Sequence, residues 1–180
     1  GQSSILSFTL SGTAPYYVNY LAGGNPANVL LDGAGTINGT PLSVTPNDTT
    51  TYTLVDVRDA NNCIATANGN ITIVVNPLPT VTISGSKKIC DGESTDLDFN
   101  FTGTGPYNIN YNINSTPNSA VLNNNVDAIS VSPSSTATYT LIDVSDTYCS
   151  NTAMGTVIVT VNPLPSATIS GGTTLCEGDG

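Results

Sequence analysis

The groups best able to do chemistry in this sequence are its four cysteines, because the chain contains no histidine. They fall into two classes: Cys90 and Cys176 precede a strand-like run, whereas Cys63 and Cys149 open one. Only 9% of the residues are charged, and this composition together with the paired spacing favours an oxidising compartment and disulfide bonds. Without histidine or a Cys-x-x-Cys pattern, a zinc site is not expected.

Carboxylates are the second group with chemical capacity. Ser-His-Asp or Cys-His catalysis needs a histidine, so we expect no enzymatic activity. Asp96 and Asp98 lie two residues apart on a strand-like run and share one face, where a solvated acidic surface is favoured over a glycosidase pair. Oxygen-bearing side chains also cluster near a turn in each half of the chain, which makes calcium a minor hypothesis, although no EF-hand spacing is present. The calcium candidates are Asp56, Asp59, Asn61, Asp143 and Asp146.

A repeated segment sets the framework around these groups. Val75-Asn76-Pro77-Leu78-Pro79 recurs as Val161-Asn162-Pro163-Leu164-Pro165, about 86 residues later, with a strand-like run on either side each time. The repeat predicts three parts, which are a repeat without its first strand at 1–76, a complete repeat at 77–162, and the first strand of a third repeat at 163–180. A segment of a longer array is the favoured interpretation, and the alternative is a subunit whose tail strand completes the open sheet of the next subunit.

Each repeat predicts an immunoglobulin-like β-sandwich. About seven short runs of β-branched residues alternate with turns every 8–12 residues, and no run has the pattern of an amphipathic helix, so the fold class is all-β. Tyr52 and Tyr139 occupy the position of a tyrosine corner, whose hydroxyl would bond back to the backbone. In the first repeat we predict strands at 4–10, 16–20, 29–31, 41–46, 50–57 and 63–75, the last with a kink at 68–70.

The pairing of the cysteines is open at the level of sequence. A bridge between Cys90 and Cys149 would lie inside one repeat, but immunoglobulin topology puts the turn before strand B and the F–G turn at opposite ends of the sandwich. A disulfide needs Cα atoms within roughly 7 Å. We therefore expect bridges between adjacent repeats, in which Cys149 would pair with a cysteine upstream of the first residue.

The charge of the chain restricts its partners. The formal net charge is −10, and the three cations are Arg58, Lys87 and Lys88. Nucleic acid and anionic membrane surfaces would be repelled, so neither is expected as a partner. No apolar run is long enough to span a bilayer, and we expect no membrane insertion in this segment.

A set of motifs in a fixed order resembles the Ig-like tandem repeats of giant surface proteins of Bacteroidota, such as the SprB-type gliding-motility adhesins. The set comprises Asn-Pro-Leu-Pro, Cys-x-Gly-Glu-Ser at 90–94, Gly-Thr-Gly-Pro-Tyr at 103–107 and Asp-Ala-Asn-Asn-Cys at 59–63. The resemblance covers essentially the whole chain and implies export by the type IX secretion system and display on the cell surface. Asp48-Thr49-Thr50 resembles the O-glycosylation sequon of these bacteria, with Thr49 as the acceptor.

These observations predict a non-catalytic stalk or filament shaft of a secreted adhesin, whose partners are neighbouring repeats of the same chain or filament. The alternatives are a module that binds polysaccharide or a surface ligand through loops 21–40 and 112–128, and an accessory domain of a secreted hydrolase. The two loops differ most between the repeats. Several tyrosines could offer a platform for sugar stacking, although their alternation favours core or scattered surface positions: Tyr16, Tyr17, Tyr20, Tyr107 and Tyr111.

Overall fold

The computed structural model describes residues 2–172, 174 and 177. These residues form sixteen β-strands and no helix, which confirms the all-β prediction. It follows that the described part of the chain has no helix that could cross a membrane. The chain divides into two compact units, Gly1–Pro77 (unit 1) and Leu78–Gly180 (unit 2), which are described separately below.

Unit 2 is a sandwich of two sheets. Its strands are β8 (Thr80–Ser84), β9 (Lys87–Cys90), β10 (Thr95–Thr102), β11 (Tyr107–Ile113), β12 (Thr116–Leu122), β13 (Val126–Val131), β14 (Ala137–Ser145), β15 (Ser150–Thr152) and β16 (Thr156–Asn162). A three-stranded sheet has the order β13-β10-β8, and a six-stranded sheet has the order β12-β11-β14-β16-β9, with β15 also paired to β14. All pairs are antiparallel except that of β16 with β9. The first two strands, β8 and β9, join different sheets, as in immunoglobulin folds.

Strand β10 shows why unit 2 folds as a sandwich. Its residues alternate strictly between buried and exposed, because successive side chains of a strand point to opposite faces. Leu97, Phe99 and Phe101 enter the core, and Phe101 stacks on a tyrosine of the facing sheet with ring centroids 4.4 Å apart. Asp96 and Asp98 are exposed on the opposite face, so the prediction that they share a solvated face is confirmed.

Unit 1 has the same arrangement with fewer strands. Its strands are β1 (Ser4–Leu6), β2 (Tyr16–Ala22), β3 (Asn25–Leu31), β4 (Leu42–Val44), β5 (Thr50–Arg58), β6 (Ile64–Thr66) and β7 (Asn70–Ile73). A two-stranded sheet pairs β1 with β4, and a five-stranded sheet has the order β3-β2-β5-β6, with β7 also paired to β5. The described residues of unit 1 include no counterpart of β8 or β9. Its core cluster consists of Tyr16, Val18, Val29 and Leu31.

The strands predicted in unit 1 at 4–10, 29–31 and 63–75 differ most from the observed ones. The strand predicted at 4–10 ends at Leu6, because its one partner, β4, offers only three residues. The predicted loop 21–40 contains most of a hairpin, in which β2 and β3 are joined at Gly23 and Gly24, both with positive φ. The strand predicted at 63–75 is divided into β6 and β7 around Gly69, where a kink was expected.

The predicted first strand of a third repeat is not formed in the described residues. Residues 163–172 are exposed and belong to no strand. Cys176, a predicted disulfide cysteine in this segment, lies outside the described residues.

Candidate functional site

The turn that joins β14 to β15 in unit 2 is organised by one carboxylate. Oδ1 of Asp146 accepts the backbone N–H groups of Tyr148 and Cys149, both at 2.8 Å. Oδ2 accepts the N–H of Thr104 at 2.9 Å, in the loop between β10 and β11. One side chain therefore shapes its own turn and fastens it to a loop more than 40 residues earlier in the chain.

Unit 1 repeats this arrangement with Asp59. Oδ1 accepts the N–H of Asn61 at 2.9 Å and that of Cys63 at 3.0 Å, and Oδ2 accepts the N–H of Thr13 at 3.3 Å. These hydrogen bonds favour the ionised form. The N–H of Cys63 contributes most to lowering the pKa of Asp59, and that of Thr104 contributes most to lowering the pKa of Asp146. We call Asp59 and Asp146 the turn carboxylates.

The remaining calcium candidates are also hydrogen-bonded within the fold. Nδ2 of Asn19 donates to Asp56 at 2.7 Å, and Nδ2 of Asn110 donates to Asp143 at 2.7 Å. Each pair lies at the register shift between the two strands that it joins. Asn61 donates its side-chain N–H to the Thr13 hydroxyl at 3.0 Å. Within the described residues no group of three or more Cys, Asp or Glu side chains could hold a metal ion.

The tyrosine hydroxyls that bond to the backbone are not the predicted ones. The hydroxyl of Tyr16 donates to the Gly12 carbonyl at 2.8 Å, and that of Tyr107 donates to the Gly103 carbonyl at 2.9 Å. Both tyrosines begin a strand and reach back over the loop that precedes it. The sequence signal was a glycine four residues before a tyrosine in both repeats.

Tyr52 and Tyr139, the predicted corner tyrosines, are buried, and their hydroxyls have no hydrogen-bond partner among the described residues. The corner prediction is therefore wrong for both. Their rings contribute to packing instead, as the 6.3 Å separation of the Tyr20 and Tyr52 ring centroids shows. Burial raises the pKa of Tyr139 above its ordinary value.

Of the cysteines of unit 2, the described ones, Cys90 and Cys149, lie at opposite ends of its larger sheet. Cys90 ends β9 opposite Asn162, beside the start of β14, whereas Cys149 follows the turn at the end of β14. Nine residues of β14 separate these ends by about 26 Å at a rise of about 3.3 Å per residue, far more than a disulfide spans. Cys63 and Cys90 are exposed and form no disulfide with the described residues. Bridges to neighbouring repeats remain a prediction.

Thr49, the predicted glycosylation site, is exposed and is hydrogen-bonded to Val75, which lies two residues after β7 and directly before the Asn-Pro-Leu-Pro segment. Its hydroxyl accepts the N–H of Val75 at 3.0 Å and lies 3.5 Å from the Val75 carbonyl oxygen. In unit 2 the hydroxyl of Thr136 accepts the N–H of Val161 at 3.1 Å. The position thus extends strand pairing in both units, and its glycosylation remains a prediction.

The loops proposed for ligand binding are largely closed by their own hydrogen bonds. In unit 1, Asp32 accepts the N–H groups of Ala34, Thr36 and Gly39, each at 2.9 Å, together with the Thr36 hydroxyl. The Thr36 hydroxyl is the largest cause of a lowered pKa at Asp32. In unit 2, Asp127 closes the shorter turn between β12 and β13. Of the platform tyrosines, Tyr16, Tyr107 and Tyr111 are buried and Tyr17 and Tyr20 are half-buried.

Unit 1 also contains a cavity of 190 Å³ between its two sheets. Its walls come from the end of β1 and the residues after it, from β2 and β5, and from the start of β7. The lining residues are Leu6, Ser7, Phe8, Tyr20, Tyr52, Thr53, Leu54, Gly69, Asn70 and Ile71.

Comparison with known proteins supports the fold. The sequence profile described as the nucleoporin POM152 Ig-like domain matches residues 79–156, which span most of unit 2. A search among curated proteins gave no match to the chain. Together with the sheet order, the profile match shows that the chain is built of immunoglobulin-like β-sandwiches.

Proposed function

We propose that this chain is a non-catalytic segment of the stalk or filament shaft of a secreted, cell-surface adhesin. The proposal rests on hydrogen bonds that hold loops and strand ends in place and that recur in both units. Four kinds of hydrogen bond are equivalent in the two units. They are made by the turn carboxylates, by the Asn19–Asp56 and Asn110–Asp143 pairs, by Tyr16 and Tyr107 at the start of β2 and β11, and by Thr49 and Thr136. What the two repeats share is therefore a means of holding loops and strand ends in place.

The mechanism that follows is mechanical. Each turn carboxylate ties the turn after β5 or β14 to the loop before β2 or β11, so tension on that turn is shared with a second point of the sandwich. Charge-assisted hydrogen bonds of this kind are stronger than neutral ones. The resemblance to Bacteroidota surface repeats supports secretion by the type IX system and a role in adhesion or gliding, with neighbouring repeats as partners.

Single-molecule force spectroscopy of the whole chain tests the mechanical part. We expect two unfolding events, and Asp146→Asn should lower the force of the unit 2 event because an amide nitrogen would face backbone N–H donors. Asp96→Asn is the matched control, because Asp96 is exposed and makes no side-chain hydrogen bond with the described residues. Equal forces for the two variants would contradict the mechanism.

Surface labelling and a glycan screen test the biological part. Antibodies raised against the chain should label intact cells of the source organism, and the chain should bind no glycan on an array. Labelling only after cell lysis would contradict the proposed location. Saturable binding to a defined polysaccharide would contradict the stalk function and favour a carbohydrate-binding module.

A further inference from the structure

The cavity of unit 1 lies where unit 2 holds a strand. In unit 2, β8 pairs with β10 on the side opposite β13, with Ile83 opposite Phe99 and Val81 opposite Phe101. By the repeat, the unit 1 residues that correspond to Phe99 and Phe101 are Phe8 and Leu10. The described residues of unit 1 place no strand beside them.

Two equivalent glycines show what is missing. A Cβ atom built on Gly155 of unit 2 would lie 3.0 Å from Cγ2 of Ile83 and 3.3 Å from Cδ1 of Leu141, so Ile83 fills the space over this glycine. Built on Gly69 of unit 1, the same atom would meet Leu54 at 3.8 Å and nothing else within 4 Å among the described residues. The place that Ile83 takes in unit 2 is therefore open in unit 1.

Side-chain exposure gives an independent indication of the same opening. Ile71 lines the cavity and is 54% exposed, whereas its counterpart in unit 2, Val157, is 2% exposed. Phe8 and Leu54 are only partly buried, whereas their counterparts Phe99 and Leu141 are buried. The apolar side chains are present in both units, but among the described residues only unit 2 has the strand that covers them.

The chain itself carries a segment with the right side chains. Residues 166–171 read Ser-Ala-Thr-Ile-Ser-Gly, and β8 with its following glycine reads Thr-Val-Thr-Ile-Ser-Gly. Ile169 stands at the position of Ile83, is 101% exposed, and lies in a stretch that forms no strand. An isoleucine left fully in water gives up the free energy that burial of its side chain would contribute.

We propose that the cavity of unit 1 binds residues 166–171 of a second copy of this chain as an added strand, antiparallel to residues 7–11, which follow β1. The register of β8 on β10 transfers directly, which places Ile169 opposite Phe8 and Ala167 opposite Leu10. Backbone hydrogen bonds would give affinity and the isoleucine pocket would give register, as in other cases of strand addition. Because donor and acceptor lie on the same chain, the contact is head-to-tail, and it joins copies into a ring where the rotation closes and into a filament where it does not.

Sedimentation equilibrium of the full chain under reducing conditions, across a wide range of concentration, tests this inference. The parent should associate, and Ile169→Asp should weaken association roughly 100-fold, because a carboxylate cannot enter an apolar pocket without losing its hydration. Leu164→Asp is the matched control, since Leu164 is exposed on the same tail but outside the added strand. Ile71→Asp should reproduce the loss from the acceptor side.

Amide hydrogen exchange tests the register. Residues 7–10 lie outside strands in the single chain, and their amides should become protected as the parent associates but stay unprotected in Ile169→Asp. A parent that is monomeric at every concentration would overturn the proposal. So would association that Ile169→Asp leaves unchanged, which would point to a different contact surface.

Discussion

Among the described residues of unit 1, β1 pairs only with β4, whereas its counterpart in unit 2, β10, lies between β13 and β8. The consequence extends through the core. Among the described residues, the buried cluster of unit 2 has sixteen members and that of unit 1 has four. Where the units have matching positions, such as Phe8 with Phe99 and Leu54 with Leu141, the residues are the same, so their difference in burial comes from the neighbouring strands rather than from composition.

The hydrogen bonds that hold the loops in place do not differ between the units in this way. Asp59 and Asp146 each accept the backbone N–H groups of the residue two positions later and of the next cysteine, and both units have a cis proline immediately before the tyrosine that begins β2 or β11. The N–H donors to each turn carboxylate lie in its own turn and in the loop before β2 or β11, which both units contain, so these hydrogen bonds form in either unit. Closure of the core depends on a strand from elsewhere in the chain, and this makes it the property that separates the units.

The largest expected effect comes from removing the same aromatic ring in each core. Phe99→Ala should destabilise unit 2 by about 3–5 kcal/mol, because Phe99 is 1% exposed and its loss leaves a cavity. Phe8→Ala should cost unit 1 roughly half as much, because Phe8 is already partly solvated. Denaturant unfolding followed by NMR signals from each unit measures both. Equal costs would show that the cavity of unit 1 is closed in solution.

The next effect concerns the turn carboxylates and pH. Their pKa values in the folded state lie below the ordinary value of 3.8, so they stabilise the fold above that pH, and the contribution is lost as the pH falls from 3.8 through the folded pKa. Asp146→Asn should lower the melting temperature of unit 2 by a few degrees at neutral pH, on the order expected for one lost contact in a domain of this size.

Melting temperatures measured below pH 3.8 provide the control for this prediction. Once the carboxyl is protonated, parent and variant should melt alike, so their difference should shrink below pH 3.8. Asp59→Asn should do the same in unit 1, because the acceptor pattern is the same. Thermal melts across this pH range give the result. A difference that persists unchanged in acid would mean that Asp146 acts through shape rather than charge.

A smaller effect is expected from the threonines that extend strand pairing. Thr49→Val in unit 1 and Thr136→Val in unit 2 each remove a hydrogen bond to a backbone N–H, with a cost of about 0.5–1.5 kcal/mol. Thr45→Val is the control, because the Thr45 hydroxyl has no partner among the described residues. Chemical denaturation measures all three. A cost confined to one unit would break the equivalence of the two strand ends.

The smallest effect is expected from calcium. The oxygens of both turn carboxylates accept N–H groups, which a cation would have to displace. Removing divalent cations with EDTA should therefore leave the melting temperature of each unit unchanged, as should added calcium. A shift of several degrees in either direction would restore the calcium hypothesis and assign it to whichever unit moves.

Much of the candidate site could be predicted as residue types but not as roles. Asp59 and Asp146 stood out beside a turn, yet the same carboxylates suit calcium or backbone N–H donors, and only the path of the loop before β2 or β11 decides between them. The same holds for the tyrosines. The antibody-like position predicts that Tyr52 and Tyr139 bond to the backbone, but the hydroxyls that do so belong to Tyr16 and Tyr107, each four residues after a glycine. Which hydroxyl meets a carbonyl depends on where the loop returns.

The sequence by itself determined the all-β class, the period of the repeat, and the alternation that puts Leu97 and Phe99 on one face and Asp96 and Asp98 on the other. These are local properties, because a strand's two faces follow from the geometry of its own backbone. Only the tertiary structure decided that Ile71 stays exposed while Val157 is buried. Burial depends on which strand lies alongside, and strands far apart in the chain become neighbours only on folding.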